Sequence, residues 1–196
     1  MTSPASKPLR ADARRNYETL LAAGKAVFAR SGTDAPLEDV GRQAGVGRGT
    51  LYRHFPSREH LFVAIIEDRV SFLETRAREL LSSPDPGRAL ADWLRVYDQI
   101  AAGYRGMSAR VGNALTDDRS PVAAACAPMK ASFELLFNRA RDAGVIRGDV
   151  TAVQVLALVA ALPKDPRGDS TIEPYLNIVL SGLRADGPTA SMTSSP

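Results

Sequence analysis

The stretch Pro36–Phe55, PLEDVGRQAGVGRGTLYRHF, decides how this chain is read. Leu37, Val40 and Gly41 recur at helical spacing and give a short helix its apolar face. Ala44 closes that helix. Gly45 follows, where a left-handed backbone turn costs a glycine little. Val46 is placed to plug the angle with a second helix, which starts near Gly47 or Arg48. Gly47, Leu51 and Phe55 lie four apart and share a face, which packs on the first helix. Arg48, Gly49, Thr50, Tyr52, Arg53 and His54 fall elsewhere on the segment. A short helix with a thin apolar stripe and a basic, hydrogen-bonding exterior is what reading a DNA groove requires.

Helical periodicity extends in both directions. Residues 1–9 are polar, small and proline-containing, and read as a disordered N-terminus. Arg10, Arg14 and Arg15 open a helix to about Arg30, with Tyr17, Leu20, Leu21, Gly24, Val27 and Phe28 as its buried stripe. Residues 10–56 therefore form a three-helix unit. Pro56-Ser57 breaks the chain, and Ser57 caps a long helix reaching about Leu81. Ser82–Gly87 is a second break. Arg88–Gly103 carries Leu90, Trp93, Leu94, Tyr97 and Ile100, and a shorter helix runs from Tyr104 to Leu115. Asp117-Asp118 starts a helical region reaching Ala143, in which Pro121 suits a first turn and Pro128 predicts a kink or break. Val150–Leu162 is apolar nearly all round and predicts burial on several sides. The last helix spans about Ser170 to Arg184, and residues 185–196 read as a disordered tail. No stretch alternates with period two. The chain reads as all-α, with about nine helices.

The run AGVGRGTLYRHF followed by PSREHL resembles the DNA-binding signature of the tetracycline-repressor (TetR) family. The resemblance covers roughly the first third of the chain. It implies three N-terminal helices for DNA and six more, over residues 57–184, for ligand binding and dimerisation. It also implies a transcriptional regulator, most often a repressor, that sits as a homodimer on double-stranded DNA and is released by a small-molecule effector. Two recognition helices would enter successive major grooves, so the operator is expected to be an inverted repeat. Two positions depart from the family pattern. Pro36 and Gly47 stand where many members carry a hydroxyl residue that caps the helix, so neither place offers a side chain to a phosphate.

Within the motif, Arg48 is the candidate for a guanine edge, because its fork matches two major-groove acceptors. Thr50 suits a thymine methyl or a phosphate. Tyr52, Arg53 and His54 suit phosphates, since polar side chains beside a groove mostly contact the backbone. Gly49 belongs with the close-approach glycines, and Arg58 is placed for a phosphate or for solvent. The glycine run Gly45–Gly49 lacks the lysine and preceding strand of a phosphate-cradling loop.

The 196 residues are 44% hydrophobic and 24% charged, with no apolar run long enough for a membrane span. Cys126 is the single cysteine, so no internal disulfide forms, and the N-terminus does not read as a signal peptide. Both point to the cytoplasm. Up to Phe55 there are nine Lys or Arg against five Asp or Glu, whereas the remainder carries sixteen against seventeen. The basic excess therefore sits on the segment with the helix pair. Neither His54 nor His60 belongs to a cluster with metal-ligand spacing, and Cys126 has no nucleophile context. No catalytic residue, metal or cofactor is expected. Trp93, Tyr97, Tyr104, Met107, Met129 and Phe133 are the candidates for an effector pocket between helices. Ile172, Leu176, Val179, Leu180 and Leu183 form one stripe of the last helix and are the candidates for a dimer interface. The competing reading is a helical small-molecule-binding protein or enzyme with structural N-terminal helices. The basic exterior of residues 48–54 argues against it.

Overall fold

The first helix, α1 (Ser6–Ser31), ends where Gly32 takes a φ of 86°. That left-handed conformation suits glycine because it has no Cβ. In this computed structural model the described residues are 6–103, 105–116, 119–163 and 173–185. Among them, eight more helices follow: α2 (Leu37–Ala44), α3 (Arg48–His54), α4 (Arg58–Leu80), α5 (Pro86–Ala102), α6 (Met107–Thr116), α7 (Pro121–Asp142), α8 (Ala152–Ala161) and α9 (Glu173–Gly182). The only strand-like feature among these residues is an isolated bridge between Ile146 and Arg184.

Local chemistry sets several helix starts. Ser57 accepts from the His60 amide, Asp85 from the Arg88 amide and Ser120 from the Ala123 amide. Pro86 and Pro121 follow their caps directly, where a missing N–H costs nothing. Thr151 and Gln154 form a reciprocal capping box at α8.

Several boundaries differ from the sequence reading. α1 begins at Ser6, inside the segment expected to be disordered, and accommodates Pro8 in its first turn. α5 begins at Pro86 rather than Arg88. Asp117-Asp118 lies outside the described residues, and α7 starts at Pro121. Pro128 does not break α7. It lies on the exposed face, as does Ala124, whose carbonyl loses its helical donor and can turn to water.

The core is continuous from the N-terminal unit to α9. α4 packs most extensively on α7, α5 lies against both, and α6 packs on α8. Trp93 stacks on Tyr97 and on Phe133, with ring centroids 5.5 and 4.7 Å away, and its indole N–H donates to the Leu73 carbonyl at 3.0 Å. α8 is not buried all round. Val155, Leu156 and Val159 face inward, whereas Leu158 is 51% exposed.

Several attachments hold the N-terminal unit to the rest. α1 crosses α4 at Gly24, where an added Cβ would stand 2.9 Å from Leu61, and Lys25 pairs with Asp68 at 2.6 Å. The second attachment runs through the segment before α6. The Thr33 amide donates to the Arg105 carbonyl at 3.0 Å, and Thr33 is buried. On α6 itself, Arg110 pairs with Glu59 and lies over the Phe62 ring, 4.2 Å from its centroid.

Candidate DNA-binding interface

The α2–turn–α3 geometry follows from three residues. Gly45 adopts φ 65°, and its amide bonds the Arg42 carbonyl. The Val46 amide returns to the Gly41 carbonyl at 3.0 Å, and Val46 packs half-buried in the angle. Gly41 itself is buried, with its would-be Cβ 3.0 Å from a Leu51 methyl. The two helices therefore approach closely, and a larger residue at position 41 would push α3 away. Leu51 and Phe55 are buried as expected, but Gly47 is exposed and belongs to the turn. Neither Pro36 nor Gly47 supplies a side-chain cap.

This packing leaves α3 with a polar exterior. Arg48, Gly49 and Arg53 are exposed, and Thr50, Tyr52 and His54 are half-buried around the same short helix. His54 lies edge-on to Tyr17 of α1 at 6.2 Å, and Tyr17 also packs on Phe55 at 5.2 Å. α1 thus fixes the C-terminal end of α3.

Tyr52 and Glu38 form a pair absent from the sequence reading. The Tyr52 hydroxyl donates to Glu38 Oε1 at 2.5 Å, bridging α3 to α2. Arg48 reaches to 3.9 Å from the same oxygen and lies over the Tyr52 ring at 5.5 Å. The hydroxyl holds the Glu38 carboxyl below its usual range, and the carboxylate raises the Tyr52 phenol. Glu38 and Tyr52 are fourteen residues apart on different helices, so no periodicity pairs them. Arg58 also has a partner within the chain. Its guanidinium donates to the Asp34 carbonyl at 2.8 Å and lies 3.5 Å from the Asp34 carboxylate, tying α4 to the α1–α2 turn.

A second candidate site lies among α4, α5, α6 and α7. Of the expected pocket residues, Tyr97, Met107 and Met129 meet around a void of about 20 Å³. Trp93 and Phe133 do not line it but stack behind it as core, and Tyr104 lies outside the described residues. Ile66, Arg69, Val70 and Leu73 of α4, Val111 of α6 and Cys126 of α7 also line it. In sequence the α4 residues form only a helix stripe, because nothing local distinguishes a lining residue from a core residue. Burial pushes the Cys126 thiol up to about 11.

The expected α9 interface stripe requires correction. Leu176, Val179 and Leu183 are buried within their own subunit, Leu180 is half-buried, and Ile172 lies outside the described residues. The outward face carries Tyr175 and Ile178 instead, and Ile178 is 71% exposed. These two share an apolar groove with Leu158 of α8. Leu176, Val179 and Leu183 seat α9 in the core cluster, flanked by the bridge between Ile146 and Arg184 and the Arg95–Glu173 pair.

Comparison with known proteins gives the same picture over both halves. Residues 20–65 match the bacterial regulatory proteins of the tetR family, and residues 85–185 match the C-terminal domain of SbtR-like transcriptional regulators. The chain is 33% identical to a TetR transcriptional regulator from Streptomyces coelicolor, covering 87% of this chain and 99% of that one, with a TM-score of 0.61. It is 34% identical to a TetR transcription regulatory protein from Mycobacterium vanbaalenii, covering 91% and 100%, with a TM-score of 0.58. GusR of Salmonella enterica, 20% identical, shares the fold with a TM-score of 0.62 over 85% of this chain and 92% of its own. Among curated proteins, none matches.

Proposed function

The chain belongs to the TetR family of DNA-binding transcriptional regulators, and from that premise we propose that it represses from an inverted-repeat operator and is released by a small-molecule effector. Regulators of this family are not enzymes. They bind DNA operators and small-molecule effectors, and they act as dimers. Among the described residues, no helix is long and apolar enough to cross a membrane.

The observation that carries the proposal is the exterior of α3. Its apolar side is spent on α1 and α2, so Arg48, Thr50 and Arg53 remain for an acidic groove. Arg48 reads a base edge, and Arg53 and His54 meet phosphates. Tyr52 and Glu38 set the pitch of α3 against α2. Arg58 acts by holding the α1–α2 turn rather than by touching DNA.

Two copies join through the outward faces of α8 and α9. Leu158, Tyr175 and Ile178 are large apolar side chains left in solvent on adjacent helices, and such patches mark association sites. The effector occupies the site among α4, α5, α6 and α7. Met107 and Val111 line it from α6, and the segment leading into α6 is bonded to Thr33 beside α2. Movement of α6 therefore reaches the DNA-binding unit without passing along α4. The duplex sets the spacing of paired recognition helices at about 34–36 Å, so a small tilt costs affinity.

A selection from random duplexes with the full-length protein tests the proposal. The expected result is one palindromic consensus whose binding persists in moderate salt. Recovery of unrelated sequences, or binding that vanishes uniformly with salt, would reject specific readout.

A further inference from the structure

We propose that the effector is a small, uncharged, largely apolar molecule bearing one hydroxyl or carbonyl oxygen, which pairs with the Tyr97 hydroxyl among α4, α5, α6 and α7. This rests on the reading of that site as the effector pocket.

Tyr97 is 2% exposed, and its hydroxyl has no hydrogen-bond partner. Two other buried polar groups close by are paired: the Trp93 indole donates to Leu73 and the Ser132 hydroxyl to Met129. A buried polar atom without a partner destabilises the fold that contains it. Tyr97 lines the void, so a ligand that widens it beside this side chain would supply the missing partner. The same burial raises the Tyr97 phenol above its ordinary value, so it stays protonated and can donate.

The rest of the wall dictates the remainder of the ligand. Ile66, Val70, Leu73 and Val111 offer only hydrocarbon. Cys126 is a protonated thiol, which behaves as a small soft apolar group rather than a nucleophile. Among the described residues that line the void, Arg69 is the one that carries a charge, and it already has an interaction within the chain. A ligand anion would have to compete with that interaction for Arg69, and a ligand cation would meet a like charge. Size follows from the void, about 20 Å³, which is room for little more than one water. Met107 and Met129, each with three rotatable bonds, are the side chains able to swing aside. A single ring or a short branched chain is what that rearrangement admits.

The chain's single tryptophan reports on the site, because Trp93 stacks on Tyr97 with an 11° interplanar angle. Full-length protein is titrated with phenol, toluene and benzoate while Trp93 fluorescence is followed, in the wild type and in Tyr97→Phe. Phenol is expected to bind the wild type about tenfold more tightly than toluene, with benzoate weakest, since a site with an unpaired polar group discriminates against an analogue lacking its partner. Tyr97→Phe is expected to abolish the preference for phenol, retain toluene, and melt no lower than the wild type. Benzoate binding best, a phenol preference that survives in Tyr97→Phe, or no Trp93 response to any probe would each overturn the proposal. Operator binding is measured in parallel. Phenol binding that leaves operator affinity unchanged keeps the ligand class but rejects the pocket as the effector site. Operator release by benzoate alone does the reverse.

Discussion

The Thr33 amide donates to the Arg105 carbonyl at 3.0 Å, joining the turn before α2 to the segment that leads into α6. Gly106 makes this approach possible. It takes a φ of 87°, and a Cβ there would stand 2.7 Å from the Thr33 hydroxyl. The DNA-binding unit is thereby attached to the helix that also supplies Met107 and Val111 to the void.

Gly106→Ala tests this attachment. The left-handed backbone and the collision with Thr33 act together, and a loss of about 1 kcal/mol or more is expected in chemical unfolding. Effector and operator should also become less coupled. Coupling between sites is reciprocal, typically about 1–3 kcal/mol. Titrating effector with and without saturating operator should give a smaller affinity ratio in Gly106→Ala than in the wild type.

Arg48 and Arg53 should separate by what each touches on the duplex, a base edge or a phosphate. Arg48→Ala is expected to cost about 1–3 kcal/mol and relax preference at one base position per half-site. Arg53→Ala should weaken all duplexes evenly and reduce the salt slope. Binding to a panel of single-base operator variants distinguishes them. An unchanged base preference in Arg48→Ala would exclude direct readout by that side chain.

The Tyr52–Glu38 bond predicts a pH dependence. The folded carboxyl of Glu38 titrates below its ordinary value because it accepts from Tyr52. Its contribution is full above the unfolded-state value and is lost as pH falls through the lowered folded value. Carboxyl titration followed by NMR should return Glu38 toward the ordinary range in Tyr52→Phe. If Glu38 titrates identically in both proteins, the hydroxyl is not the cause.

Leu158→Glu with Ile178→Glu should yield folded monomers that bind operator poorly, as both side chains stand in solvent on one subunit. Leu176→Ala should behave differently. It removes a fully buried side chain and is expected to cost about 2–5 kcal/mol of stability. Sedimentation and unfolding, measured together, tell the two outcomes apart. A Leu158→Glu/Ile178→Glu variant that remains dimeric would rule out this face.

Cys126 should resist alkylation at neutral pH, because its thiol is buried and pushed up to about 11. Modification should become fast only on unfolding. Rapid labelling of native protein would mean that the α4–α7 site opens freely in the absence of effector.

The sequence by itself determined the helices and the motif. Periodicity of 3.6 is a local property, so the stripes of α1, α4, α5 and α9 were legible, as were Ser57 as a cap and Gly45 as the turn. The placement of Arg48, Thr50 and Arg53 off the buried side is legible too, because a seven-residue helix with one buried side leaves few places for the rest. Tertiary structure decided which apolar stripe meets what. Leu176 and Ile178 are two residues apart and equally apolar, yet one is buried and the other solvent-facing. The docking of α9 against the core cluster makes that choice, with the Ile146–Arg184 bridge and the Arg95–Glu173 pair at its flanks. Likewise Ile66, Val70 and Cys126 are ordinary core residues in sequence. They line a void because four helices cross around them, and crossing is a long-range outcome of packing that no local pattern encodes.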